Sequence, residues 1–230
     1  MSRQLHAQAS RVHKWLALII GAQLLLWFAS GSVMSILPIE TVRSEHLVSR
    51  AVAPVRDLSR LISPAQLPHT AGMPIRSLRY RMLLGQPVAE ITAMNGEIVL
   101  ADALTGERRH PIDASEARRI AEDAWLGDGA AFTSVEQVTE NSVEYRGPLP
   151  AWRVSTGDNV SLYIPAATGV LSSVRSPTWR FYDFFWSLHI MDWTEHENFN
   201  SWWLIAFALG GLAMAISGVI LLVKRFPLFR

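Results

Sequence analysis

The sequence predicts a membrane protein with two transmembrane α-helices flanking an α+β extracytoplasmic domain. Three observations predict it. Two long runs free of charge lie near the chain ends, Trp15 to Ile39 and Asn198 to Val223. All 20 Asp and Glu residues lie between Ile39 and Asn198. The stretch between the runs alternates short apolar strands with small-residue turns, a β-rich pattern. Half of the 230 residues are hydrophobic, too few for a multi-span transporter and many for a plain soluble domain.

The first run follows MSRQLHAQASRVHK and supplies a first helix over residues 1–39 together with its N-terminal segment. A cleaved signal peptide also begins with basic residues and an apolar core. This run is too long for one, and no convincing small-x-small cleavage site follows it. The second run, 198–223, gives roughly 39 Å of helix, enough to cross a hydrocarbon core of about 30 Å with tilt. Arg3, Arg11, Lys14, Lys224, Arg225 and Arg230 flank the two ends without neighbouring acids, and residues 224–230 form a short tail. This charge bias puts both termini in the cytoplasm and the centre of the chain outside it.

Residues 40–178 read as the α+β domain. GEIVLADALTGERRHPI (96–112) and DNVSLYIPAATGVLSSVR (158–175) each give a strand, a Thr-Gly turn (Thr105-Gly106, Thr168-Gly169) and a second run. Each follows another strand candidate, 75–84 and 149–156. DASEARRIAEDAWL (113–126) has helical spacing, with Asp113 or Ser115 as N-cap and Ala117, Ile120 and Ala124 as its buried stripe. SPAQLPHTAG occupies the matching place before the first hairpin, but its prolines oppose a helix. The recurrence suggests duplicated units, 63–112 and 113–175.

Residues 179–197, WRFYDFFWSLHIMDWTEHE, form an aromatic segment. An interfacial belt accounts for Trp186, Trp193, Trp202 and Trp203. It does not account for His189, set among apolar neighbours. His196, seven residues on, is about 10.5 Å further along a helix, too far to share a metal with His189. His13 stands at the inner mouth of the first run, where an ordinary interfacial histidine also fits. The spacing Asp192-x-x-Glu195-His196 is a weak metal pattern.

The absence of Cys excludes disulfides, iron–sulfur clusters and a CxxCH haem attachment. No block of basic residues points to nucleic acid. No hydrolase motif, P-loop or dinucleotide fingerprint occurs, so a flavin or nicotinamide electron donor would be another protein, such as a cytoplasmic reductase.

RVHKWLALIIGAQLLLWFASG, with His13, Trp15, Ser30 and Gly31, resembles the first helix of the PepSY-associated transmembrane proteins. DASEARRIAEDA, LPAWRVS and SLYIPAATGVLSSVR resemble a PepSY unit, and SLHIMDW with AMAISGVILLVKR resembles the return helix. The resemblance covers nearly the whole chain. Two departures stand out: family members that reduce ferric siderophores have four spans rather than two, and Pro165 stands where PepSY hairpins often carry Asp. The resemblance implies PepSY-like units in the domain and, as in some members, haem b and electron transfer. His13 and His189 are then the candidate axial ligands of haem iron, at the inner and outer faces. Gly21, Ala22, Gly31, Gly210, Gly211 and Gly218 offer flat surfaces for a macrocycle, and equally for helix–helix contact. Two helices enclose a haem poorly, which predicts a homo-oligomer or another membrane subunit, besides lipid. Two readings follow. One is a haem b protein moving electrons across the inner membrane to a ferric chelate or a periplasmic redox partner, which as an enzyme would be an oxidoreductase of the ferric-reductase type. The other is a non-catalytic anchored PepSY module that binds or restrains a periplasmic protein. No catalytic residue is assigned.

Overall fold

The computed structural model describes residues 3–67, 72, 74–127, 129 and 131–225, with side chains omitted for 3–13, 217 and 220–225. The chain divides into two units, Ile39–Arg180 and, discontinuously, Met1–Pro38 with Phe181–Arg230.

In the second of these, helix α1 runs Arg3–Ile36. Its stretch Lys14–Ile36 is the one helix among the described residues that is long and apolar enough to cross a membrane. Helix α5 runs Trp202–Arg225, starting four residues later than the uncharged run, because the preceding segment forms a capped loop instead of a helical turn. Its part Trp202–Ile216 is apolar but shorter. The helices meet where α5 has no side chains: a Cβ on Gly210 would stand 3.0 Å from Ile20 Cδ1, and one on Gly211 would stand 3.3 Å from Leu24 Cδ2. Small residues thus serve close helix packing inside this chain. Ala215, by contrast, is exposed.

The unit Ile39–Arg180 opens with a single helical turn, α2 (Ile39–Val42). It then builds two antiparallel sheets, β1 (Ile75–Leu83), β2 (Gln86–Ala93), β3 (Ile98–Asp102) and β4 (Phe132–Val138), β5 (Ala151–Thr156), β6 (Ser161–Pro165), β7 (Ser173–Arg175), each ordered as its strands follow in the chain. The sheets share one register. Val88 faces Asp102 and Thr92 faces Ile98 in the first, while Ala151 faces Pro165 and Ser155 faces Ser161 in the second. Each outer strand carries a bulge at the corresponding place, between Ile75 and Ser77 and between Phe132 and Ser134.

The Thr-Gly turns repeat the same bonds. Gly106 N–H donates to the Asp102 carbonyl at 2.9 Å, and Gly169 N–H to the Pro165 carbonyl at 2.9 Å. Both glycines hold positive φ, +78° and +64°, where a Cβ is costly. The first turn does not lead into a full strand: after it the chain touches β3 through one bridge, Ala101 to Arg108. Strands β2 and β4 escape the sequence reading. The first ends a two-residue hairpin whose Leu84 and Gly85 both have positive φ, the form that matches strand twist.

Helix α3 (Ala114–Ala124) begins at Asp113, which with Glu116 closes a capping box, and buries Ala117, Ile120, Ala121 and Ala124. Where the first sheet has its counterpart, a short 3-10 turn at Pro64–Gln66 follows Ser63, and Leu67 and Ile62 cover Ala89 and Ile91. The largest core cluster draws on both sheets and α3, including Val88, Leu100, Ile120, Val154 and Leu162. Arg81, 2 % exposed, pairs with Glu90 at 2.9 Å and donates to the Thr168 carbonyl, tying the first sheet to the second turn.

Candidate functional site

Helix α4 (Pro177–Ile190) carries the aromatic segment. Its first turn is fixed by Arg180, which donates to Glu144 at 2.5 Å. Glu144 also accepts from Tyr163, whose hydroxyl is pushed up to about 12 by burial and then by this carboxylate. Proline at N1 has no N–H to lose, and Ser176 Oγ accepts from Trp179 N–H at 3.2 Å.

The last turn of α4 presents His189 to α1. Its Nδ1 lies 2.9 Å from Ser30 Oγ. Ser30 has one hydroxyl proton, and that oxygen lies 2.7 Å from the Leu26 carbonyl, which can only accept. The proton goes there, so the remaining bond runs from His189 Nδ1–H to Ser30 Oγ. Nε2 is then the bare nitrogen, and it has no hydrogen-bond partner among the described residues. Trp27 donates its indole N–H to the His189 carbonyl at 2.8 Å. Gly31 leaves room for the ring: a Cβ there would stand 3.4 Å from His189 Cε1. Trp27, Ser30 and Gly31 lie on one face of α1, three and four residues apart.

Beside this imidazole an open-sided cavity of about 830 Å³ is lined by Trp27, Phe28, Ile36, Phe199 and Leu204 with Ser32 and Ser35. That volume and lining suit an organic ligand. For a haem the arrangement fits on one side: a neutral Nε2 with its tautomer set by a second group is the form that ligates iron. The cavity lining holds no other imidazole or thioether and no basic residue for a propionate, so a haem held here would need a second iron ligand and propionate partners from outside this lining. No group of three His, Cys, Asp or Glu with metal-binding geometry occurs among the described residues.

His196 does not join His189. Its Nδ1 is 2.5 Å from Asp183 Oδ2, both side chains being mostly buried, and its carbonyl accepts from Trp186. Asp192 is a loop cap and its carboxylate is spent on backbone. Oδ1 accepts from Thr194 N–H and Glu195 N–H, and Oδ2 from Glu197 N–H and Asn198 N–H, at 2.9–3.2 Å. These N–H groups, that of Asn198 foremost, hold its carboxyl well below the usual carboxylate range. His13 lies in the N-terminal part of α1, and its side chain is outside the described residues. Sequence reasoning missed Ser30 as the partner of His189, although the two stand in quoted fragments of the same resemblance.

The profile of the PepSY-associated TM region family matches residues 10–230. The chain belongs to that family. A PepSY-associated TM protein is a membrane protein, and Lys14–Ile36 supplies one apolar helix of spanning length. No curated protein and no solved structure matches the chain.

Proposed function

We propose that this PepSY-associated TM protein is a haem b protein of the bacterial inner membrane that moves electrons outward to a ferric chelate or a periplasmic redox partner. The observation that carries the reading is the His189 imidazole, with Nδ1 held by Ser30 and Nε2 unpaired beside an apolar cavity. Haem supplies one-electron chemistry. In this reading His189 would hold the haem iron through Nε2 at the outer face. Ser30 and the Trp27–His189 bond fix the ring, and Phe28, Ile36, Phe199 and Leu204 exclude water. His13 offers the ligand at the inner face. It precedes Ser30 by about 25 Å of helix rise, close to the hydrocarbon thickness. Helix α5 is the second span, both termini are cytoplasmic, and Ile39–Arg180 is periplasmic with PepSY-like units duplicated as 63–112 and 113–175. A second copy or another subunit completes the haem pockets, and a cytoplasmic reductase donates.

Protein purified in detergent after expression with ample haem is expected to show reducible Soret and α bands. A colourless preparation overturns the electron-transfer reading and leaves the anchored, non-catalytic binding module. Topology is checked separately: alkaline phosphatase fused after Arg230 is expected to be inactive, and activity would refute the two-span arrangement.

A further inference from the structure

A second cavity, of about 630 Å³, lies wholly within the unit Ile39–Arg180. One wall is an irregular strap, residues 49–61. The floor is formed by the β1–β2 hairpin end, the last turn of α3 and the segment Gly169–Leu171. The four least buried members of the main core are Leu83, Leu171, Ile120 and Ala124, exposed 5, 7, 8 and 9 %, and all four line this cleft. Among the described residues, the main core therefore comes nearest the surface along this cleft. Between Ala51 and Ser59 a single backbone hydrogen bond, Met82 N–H to the Ala53 carbonyl at 3.0 Å, joins the strap to the sheet.

The rim is cationic. Arg50, Arg56 and Arg60 line the cleft, against Asp57 and Asp123. Asp57 is already engaged by the backbone N–H and hydroxyl of Ser59. Arg56 makes no hydrogen bond or ion pair among the described residues, and Arg50 uses only one donor, on the Arg43 carbonyl at 3.2 Å. Arg81, also in the lining, is neutralised by Glu90 and belongs to the scaffold. The unit contains no Lys at all. A guanidinium presents a planar fork suited to a carboxylate or phosphate, and three such forks above an apolar floor match an amphiphilic anion.

We propose that this cleft binds a small organic anion with an apolar body, its acid group on Arg56 with Arg50 or Arg60 and its body on Leu83, Ile120 and Leu171. The site is independent of His189 and of the haem reading. Full-length protein in nanodiscs of neutral lipid is titrated with 2-naphthoate, 2-naphthyl phosphate and, as uncharged control, 2-naphthamide, by calorimetry. At least one anion is expected to bind saturably, at least tenfold more tightly than the amide. Comparing the two anions distinguishes a carboxylate from a phosphate ligand. The double variant Arg56→Ala/Arg60→Ala, both exposed positions, is expected to weaken the anion at least tenfold and leave the amide unchanged. Leu171→Ala is expected to weaken anion and amide alike. Equal binding of anion and amide, no saturable binding of either anion at millimolar concentration, or full affinity in the double-arginine variant would each overturn the proposal.

Discussion

His189 and His196 stand on the same side of the sequence, seven residues apart, and each has Nδ1 bound to an oxygen. The oxygens differ in kind. Ser30 is a neutral hydroxyl on another helix, its own proton committed to Leu26. Asp183 is a carboxylate on the helix that His196 has just left. The first pairing fixes an imidazole across two helices and beside a cavity; the second closes a local loop whose other bonds, from Trp186 to the His196 carbonyl and from four N–H groups to Asp192, are equally local. A held imidazole is thus not by itself a ligand. What separates the two is what the free nitrogen meets.

The largest expected effect breaks that contrast outright. His189→Ala should abolish the outer-face haem, lowering haem per chain by about half in a two-haem protein, whereas His196→Ala should leave the haem spectrum unchanged. Absorbance of the pyridine haemochrome checks both, and equal haem in the His189 variant and wild type refutes the assignment. Next, Ser30→Ala removes only the orienting acceptor; haem affinity at that site should fall about tenfold, the lower end for partners of a metal-binding imidazole. Asp183→Asn should not alter it. Gly31→Val is expected to act more weakly, shifting the spectrum or weakening haem a few-fold, because even a Cβ already reaches the ring at 3.4 Å and further methyls must press on it.

The smallest spectral effect belongs to Asp192→Ala, which should leave haem in place and speed proteolysis of the α4–α5 connection several-fold. The pH dependence has a definite sign. The folded carboxyl is depressed, so its contribution is complete above the ordinary value near 3.9 and is lost only as pH falls through the depressed one. Protease resistance of this connection should therefore be flat from about pH 5 to 8. A loss between pH 7 and 6 would refute the assignment of that resistance to the Asp192 carboxylate.

Periodicity and turn chemistry exposed much of this architecture. The Asp113 cap, the α3 stripe and both Thr-Gly turns are short-range signals and stand where the residues place them. Strands β2 and β4 were not legible, because Gln86-Pro87 in the first and the bulge at Phe132 to Ser134 in the second interrupt their alternation, and only pairing with a neighbour makes them strands. The start of α5 was misplaced for a similar reason. Lack of charge in 198–201 satisfies a hydropathy reading, but Asp192 reaches forward to cap Asn198 and keeps the chain out of helix. At the site, His189 was visible as an anomaly among aromatics. Ser30 was not, since a serine in a transmembrane run commonly bonds its own preceding turn, and only the fold shows that it does this and accepts from His189 as well.

The shared core of the unit Ile39–Arg180 has a consequence for how it opens. Val88 and Leu100 of one sheet and Val154 and Leu162 of the other belong to a single cluster with α3. Neither sheet can detach without exposing the other's apolar face, so the repeated register does not make two independently fluctuating halves. Amide hydrogen exchange of these four residues should follow one common opening free energy, equal to that of the whole unit. The strap over the cleft, held between Ala51 and Ser59 by one backbone bond, should exchange far faster. The molecule thereby pairs a wall that opens in rapid, low-cost excursions with a floor that yields only in global unfolding.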